Sequence, residues 1–271
     1  MKTLLITANP NIAQYAEESG VSTIFVDMET RGKAARQGHL DTHTAAHTIG
    51  DVEALAKVLT ESELLVRINP PWEETADEVR SAIDAGADRV MLPMFRRVGE
   101  VAQFKALAQE TPVTLLVETA AALARLPAIL QLLDDNDLVH FGLNDLSLDM
   151  QLDFLFEVLG GRLLDGATAL CREAGLEFGI GGIGRIGQGS LPADWILGEH
   201  VRLGSDWVIL SRAFHGRAAS LEALKQTIDL KTEIAAIQRV ERVWQETPAE
   251  ALLSNHARLS SKAAELAKEK K

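Results

Sequence analysis

A single cysteine, Cys171, occurs in 271 residues. That scarcity excludes a disulfide framework and any cysteine-rich zinc or iron–sulfur site, and it fits a reducing cytoplasm. Cys171 lies in the helical stretch ATALCREAG and reads as a packed core thiol. Positive charge is also short: 27 Lys and Arg stand against 39 Asp and Glu, a formal net charge of −12. A surface of that sign repels phosphodiester backbones and anionic lipid, so neither nucleic acid nor a membrane is an expected partner. No run of 18 apolar residues occurs, which leaves no spanning helix to expect. The opening MKTLLITANPN breaks at Asn9-Pro10, too early for a signal peptide.

What is present is apolar and periodic. Hydrophobic residues make up 46% of the chain, enough for a large core, and the length suits one α/β barrel of about 250 residues. Short apolar runs recur at 3–7, 23–27, 63–68, 89–94, 114–118, 138–142, 177–181 and 207–211. They are continuous rather than alternating, as in strands buried on both faces. Stretches of helical period separate them, and Gly86 in DAGA and Gly175 in REAGL suit helix C-caps. Eight such units predict a (β/α)8 TIM barrel over 1–217. An open doubly wound sheet is the competing arrangement, because strand order is not visible in a sequence. Residues 28–50 form a long loop after strand 2, and 146–176 have room for an extra helix. The 218–271 extension begins with an apolar stripe over 219–246 that reads as one helix about 40 Å long, more than a barrel wall needs. It is expected to pack on another subunit, with the KEKK end solvated.

Barrel active sites sit at the C-terminal ends of the strands. There the sequence places Asp27 and Glu29, Arg67 and Asn69, Glu118, Asn144-Asp145, and Ser211-Arg212. Strands 5 and 6 are neighbours about 4.8 Å apart, so Glu118 and Asp145 should converge. Two buried like charges need a cation or a shared proton. A hard divalent ion on two carboxylates keeps positions for water and substrate; the competing reading has each acid capping a helix or pairing with an arginine. Arg67, inside an apolar strand, needs an anion, either a substrate oxygen or a structural pair with Asp27 or Glu29.

The runs VRIN (66–69), GADRVMLPM (86–94), LLVET (115–119) and FGLNDLS (141–147) appear in this order. Together they resemble the HpcH/HpaI aldolase and citrate lyase β-subunit family across most of residues 20–215. The resemblance implies a TIM barrel that binds Mg²⁺ or Mn²⁺ and makes or breaks a C–C bond beside a keto acid or acyl thioester. It implies a homo-oligomer (dimer, trimer or hexamer), a 2-oxo acid substrate and an aldehyde or acyl co-substrate. By the same resemblance Glu118 and Asp145 match the metal ligands and Arg67 the arginine on the substrate oxygen. Gly142 and Asn144, with Asp145, match the substrate-binding turn. Three departures stand out. Thr30 replaces the catalytic histidine expected after the strand 2 acids, Leu116 replaces a glutamine, and only about twenty residues separate Pro93 from strand 5.

The missing histidine shifts attention to the loop. His39, His43 and His47 are spaced four apart, which on a helix would align three imidazoles for a metal. Gly38 and the cap-like HTIGD (47–51) favour a loop instead. Proton transfer by His39, oriented by Asp27 or Glu29, is the expected assignment, with His43 second. GGIGRIGQG (181–189) lies in the wrong context for a dinucleotide fingerprint. It reads as a phosphate cradle or a loop at the barrel mouth, with Arg185 open to an anion. Trp72 in INPPW either lines the mouth or packs beside it. The leading function is a metal-dependent carbon–carbon lyase or aldolase acting through a pyruvate-like enolate. A phosphate-handling isomerase and a catalytically silent assembly subunit are the alternatives.

Overall fold

The computed structural model describes residues 1–32, 47–214, 218 and 220–269. Each apolar run forms a strand: β1 (Lys2–Ile6), β2 (Thr23–Asp27), β3 (Glu63–Arg67), β4 (Arg89–Leu92), β5 (Val113–Val117), β6 (Leu138–Phe141), β7 (Phe178–Ile183) and β8 (Trp207–Leu210). They pair in chain order, all parallel, and β8 returns to β1 to close a barrel. The open sheet is thereby excluded. Inside the barrel, Leu4, Phe25, Leu65, Met91, Leu116 and Trp207 form one buried cluster; outward residues such as Leu5, Ile24 and Val66 join the larger core under the helices. Burial on both faces is why the strands read as unbroken apolar runs.

The wall consists of α1 (Pro10–Glu18), α2 (Ile49–Ala56), α3 (Thr75–Asp84), α4 (Val98–Ala108), the short α5 (Ala120–Ala124) and α6 (Leu126–Leu130), α7 (Leu143–Asp149), α8 (Glu157–Gly160), α9 (Asp165–Glu173) and α10 (Ala193–Leu203). The extra helical material expected after strand 6 is α7 and α8. Gly86 and Gly175 follow α3 and α9 at φ of 100° and 72°, the left-handed turn predicted for them.

On the floor of the barrel, an aspartate directly before a strand recurs. Asp88 before β4 accepts the Leu64 N–H at 2.8 Å, Asp137 before β6 accepts that of Val113 at 2.9 Å, and Asp206 before β8 accepts that of Phe178 at 2.9 Å. Each ties a strand to its predecessor. Lys105 neutralises Asp137, and Arg89 pairs with Glu63 at 2.8 Å while donating to the Val113 and Asn136 carbonyls.

The C-terminal extension departs from the sequence expectation. The stripe over 219–246 is two helices, α11 (Leu221–Thr227) and α12 (Leu230–Gln245), and α13 (Ala249–Glu269) follows. Ile228 is extended and Asp229 caps α12 by accepting the Thr232 N–H, so one 40 Å rod cannot form. The chain folds back: α12 packs on α10, and α13 on α8 and α10. Leu230, Ile234 and Ile237 are buried on their own barrel, while Val243 of α12 stays exposed. Glu199, fully buried, joins Arg202 and His256 across this seam.

Candidate active site

The barrel register builds the mouth. Asp27 of β2 stands directly opposite Arg67 of β3. Arg67 Nε donates to Asp27 Oδ1 at 2.9 Å and Nη2 to Oδ2 at 2.8 Å, a planar fork on a carboxylate. Glu29 adds a second acid 3.4 Å from Nη2 and donates its backbone N–H to Asp27 Oδ1. The ion-pair reading of Arg67 is therefore realised, with Nη1 the nitrogen left over. Burial alone would lower its pKa, but Asp27, Glu29 and Glu118 push it above the ordinary value, so it stays a cation.

Glu118 follows β5 and is the crowded group. Asp27, Glu29, Glu118 and Asp145 are all buried, none more than 6% exposed. Burial, then the Asp145 carboxylate, push the Glu118 carboxyl well above the usual range; Arg67 pulls it back and Glu29 adds to the repulsion. Its Oε1 accepts the backbone N–H of Met94 at 3.0 Å. Met94 holds φ at 55°, a left-handed conformation that costs a non-glycine residue about 1–3 kcal/mol. The sequence carries no side-chain signal for that donor.

Gly142 earns its place by size. A Cβ there would lie 2.8 Å from Glu118 Oε2 and 2.9 Å from Glu118 Cβ, so any other residue would push the carboxylate aside. Its N–H is spent on the Val117 carbonyl at 3.1 Å, which makes it a spacer rather than a donor to substrate. The N–H groups of Leu143, Asn144 and Asp145 lie in the first turn of α7, where the helix has no carbonyl for them.

The loop beyond Glu29 is only partly described. His39 and His43 lie outside the described residues. His47 accepts the Asp27 N–H on Nδ1 at 3.0 Å, which puts the proton of its neutral ring on Nε2. Asn69 accepts the N–H groups of Thr30 and Arg31 at 2.9 and 2.8 Å. His140, stacked on Trp207 within the barrel, is held down to about 3 by burial, then by His200 and Arg67, so it is neutral. Arg185 in the glycine-rich loop is paired with Glu233 of α12, so its charge is already matched. No cluster of three or more metal-ligating side chains occurs among the described residues. A cation at Glu118 and Asp145 would complete its shell with water and substrate. The raised Glu118 carboxyl, crowded by Asp145, fits such an ion.

No helix among the described residues is long and apolar enough to cross a membrane. No curated protein matches this chain. Among solved structures, the crystal structure of an HpcH/HpaI aldolase from Desulfitobacterium hafniense DCB-2 superposes with a TM-score of 0.61 at 17% identity, covering 91% of this chain and 93% of that one. At that identity the likeness concerns the fold. The sequence pattern of the HpcH/HpaI aldolase/citrate lyase family matches residues 4–154, more than half of the chain. The protein thus belongs to the HpcH/HpaI aldolase/citrate lyase family.

Proposed function

We propose that this chain, whose family supports a lyase or aldolase function, is a divalent-metal-dependent carbon–carbon lyase acting through a pyruvate-like enolate. The observation that carries the reading is the buried Glu118–Asp145 pair, whose mutual repulsion calls for a cation. Mg²⁺ or Mn²⁺ would be held by these two carboxylates and would act as a Lewis acid on the 2-oxo acid oxygens. The protein's own groups then have distinct tasks. Arg67 is held in one orientation by Asp27 and Glu29 and donates toward the oxygen that gains charge as the enolate forms. The first-turn amides of α7, Asn144 among them, receive the substrate carboxylate. Phe25, under the Arg67 guanidinium at 5.5 Å, belongs with Leu116 to the apolar cluster that fills the barrel interior. The proton is assigned to a loop histidine, His39 first, with Glu29 as the adjoining acid.

Exchange of pyruvate methyl protons in heavy water tests this without an acceptor. Exchange should occur with Mg²⁺, stop with chelator, and fall steeply in Arg67→Lys, which keeps the charge and loses the fork. Exchange at an undiminished rate in chelator sinks the metal reading. Comparison of His39→Ala with Glu29→Gln identifies the base. Assembly as a homo-oligomer belongs to the same proposal. Among the described residues, the exposed Leu148, Leu163, Leu253 and Val243 of α12 offer apolar contacts to a second copy, and sedimentation measures whether they are used.

A further inference from the structure

Arg31 is an exposed cation at the rim, four residues beyond Asp27. Its guanidinium carbon lies 3.9 Å from the centroid of the Trp72 ring, so the loops after β2 and β3 meet there. Its backbone is held firmly. The Arg31 and Thr30 N–H groups both donate to Asn69 Oδ1. The Asn69 amide donates to Glu78 Oε1 of α3 at 2.6 Å, and its backbone N–H to Oε2 at 3.1 Å. Asn69 lies two residues beyond Arg67, so the segment that supplies the site's cation also carries this second one.

Three other arginines at this end of the barrel are matched by acids, Arg67 by Asp27 and Glu29, Arg96 by Asp149 and Arg185 by Glu233, while Arg125 donates to the Arg96 and Ala121 carbonyls. Among the described residues no carboxylate pairs with Arg31. A guanidinium lying on an aromatic ring spends its face there and keeps its N–H edge for an anion. In a chain of net charge −12, a fixed cation beside the mouth counteracts the repulsion an anionic substrate meets. Because Asn69 and Trp72 already order it, little entropy is lost on binding.

We propose that Arg31, stacked on Trp72 and positioned by Asn69, is the residue that selects an acceptor carbonyl compound bearing an anionic group, a carboxylate or a phosphate. The proposal rests on the aldolase reading above. The test uses the Mg²⁺-loaded full chain with pyruvate and paired acceptors: 5-oxopentanoate against its methyl ester, and D-glyceraldehyde 3-phosphate against D-glyceraldehyde. The first pair reports a carboxylate and the second a phosphate. Arg31→Ala should raise KM for the charged member of one pair about ten- to a hundredfold, with the neutral member changed by less than about twofold. Arg31→Lys should recover part of the loss. Asn69→Ala should move the same charged-to-neutral KM ratio, which a general loss of stability would not. Calorimetric binding of glutarate and of glycerol 3-phosphate, which cannot react, supplies a second readout. One of them should bind the wild-type chain and be lost in Arg31→Ala. Equal effects on charged and neutral acceptors, undiminished anion binding by Arg31→Ala, or binding of neither anion by the wild-type chain overturns the proposal. If pyruvate protons do not exchange at all, the aldolase reading fails, while the calorimetry still decides on the anion site.

Discussion

The two ends of the barrel handle charge in opposite ways. On the floor, every acid described above has work to do: Asp88, Asp137 and Asp206 hold strand N–H groups, Lys105 neutralises Asp137, and Arg89 neutralises Glu63. At the mouth, among the described residues, Asp27 and Glu29 hold Arg67 between them, while Glu118 is buried beside the like charge of Asp145. Buried charge is tolerable when matched and costs several kcal/mol when it is not. The floor therefore serves stability, while at the mouth the crowding of Glu118 by Asp145 costs some of it. Met94, held left-handed to aim its N–H at Glu118, adds to that cost.

Glu118→Gln should separate the two ends most sharply. Activity should fall about a thousandfold, since several kcal/mol of transition-state stabilisation depend on this ligand. In cation-free buffer at neutral pH the same variant should melt higher than wild type. The sign follows from linkage: a carboxyl raised in the folded state holds a proton that the unfolded chain releases. The contribution of Glu118 to wild-type stability without metal is thus fully present below the ordinary carboxylate range and is lost as pH rises above it. A lower melting temperature for the variant would remove the contrast. On the floor, Asp137→Ala should cost roughly 2–3 kcal/mol in denaturant unfolding by stranding the Val113 N–H and leaving Lys105 with Asp134 alone. Its kcat per folded molecule should match wild type. The smallest effect belongs to Glu17. Partial burial raises its carboxyl, but the N–H groups of Ser62, Glu61 and Thr60 and the Thr60 hydroxyl outweigh this and hold it at about 2. That contribution is present above pH 4.5 and is lost as pH falls toward 2. Glu17→Gln should flatten the acid limb of the stability curve by about 1 kcal/mol or less, given its exposure.

Which parts could be read in advance follows from the length scale of each interaction. The strands were legible because burial on both faces leaves a local mark, an unbroken apolar run. Asp27, Glu29, Arg67, Glu118 and Asp145 were legible as polar residues ending such runs, and parallel register brings Asp27 beside Arg67. The break before α12 was not, because the apolar period continues across Ile228 and hides the cap at Asp229. The roles of Asn69 and Met94 lie in backbone N–H bonds to distant segments, and no side-chain pattern encodes those. Gly142 stood out by its motif, but its reason, the closeness of Glu118, exists only in three dimensions.

The floor aspartates also bear on how the chain assembles. Each closes a contact with the strand just before it, across 24, 24 and 28 residues for Asp88, Asp137 and Asp206. Such short loops are entropically inexpensive to close and keep the contact order of the later strands low. At synthesis rates of about 5–20 residues per second, each bracket can form within about 1–6 s of its first strand leaving the ribosome. The barrel can therefore grow as successive two-strand units while its mouth is still being made.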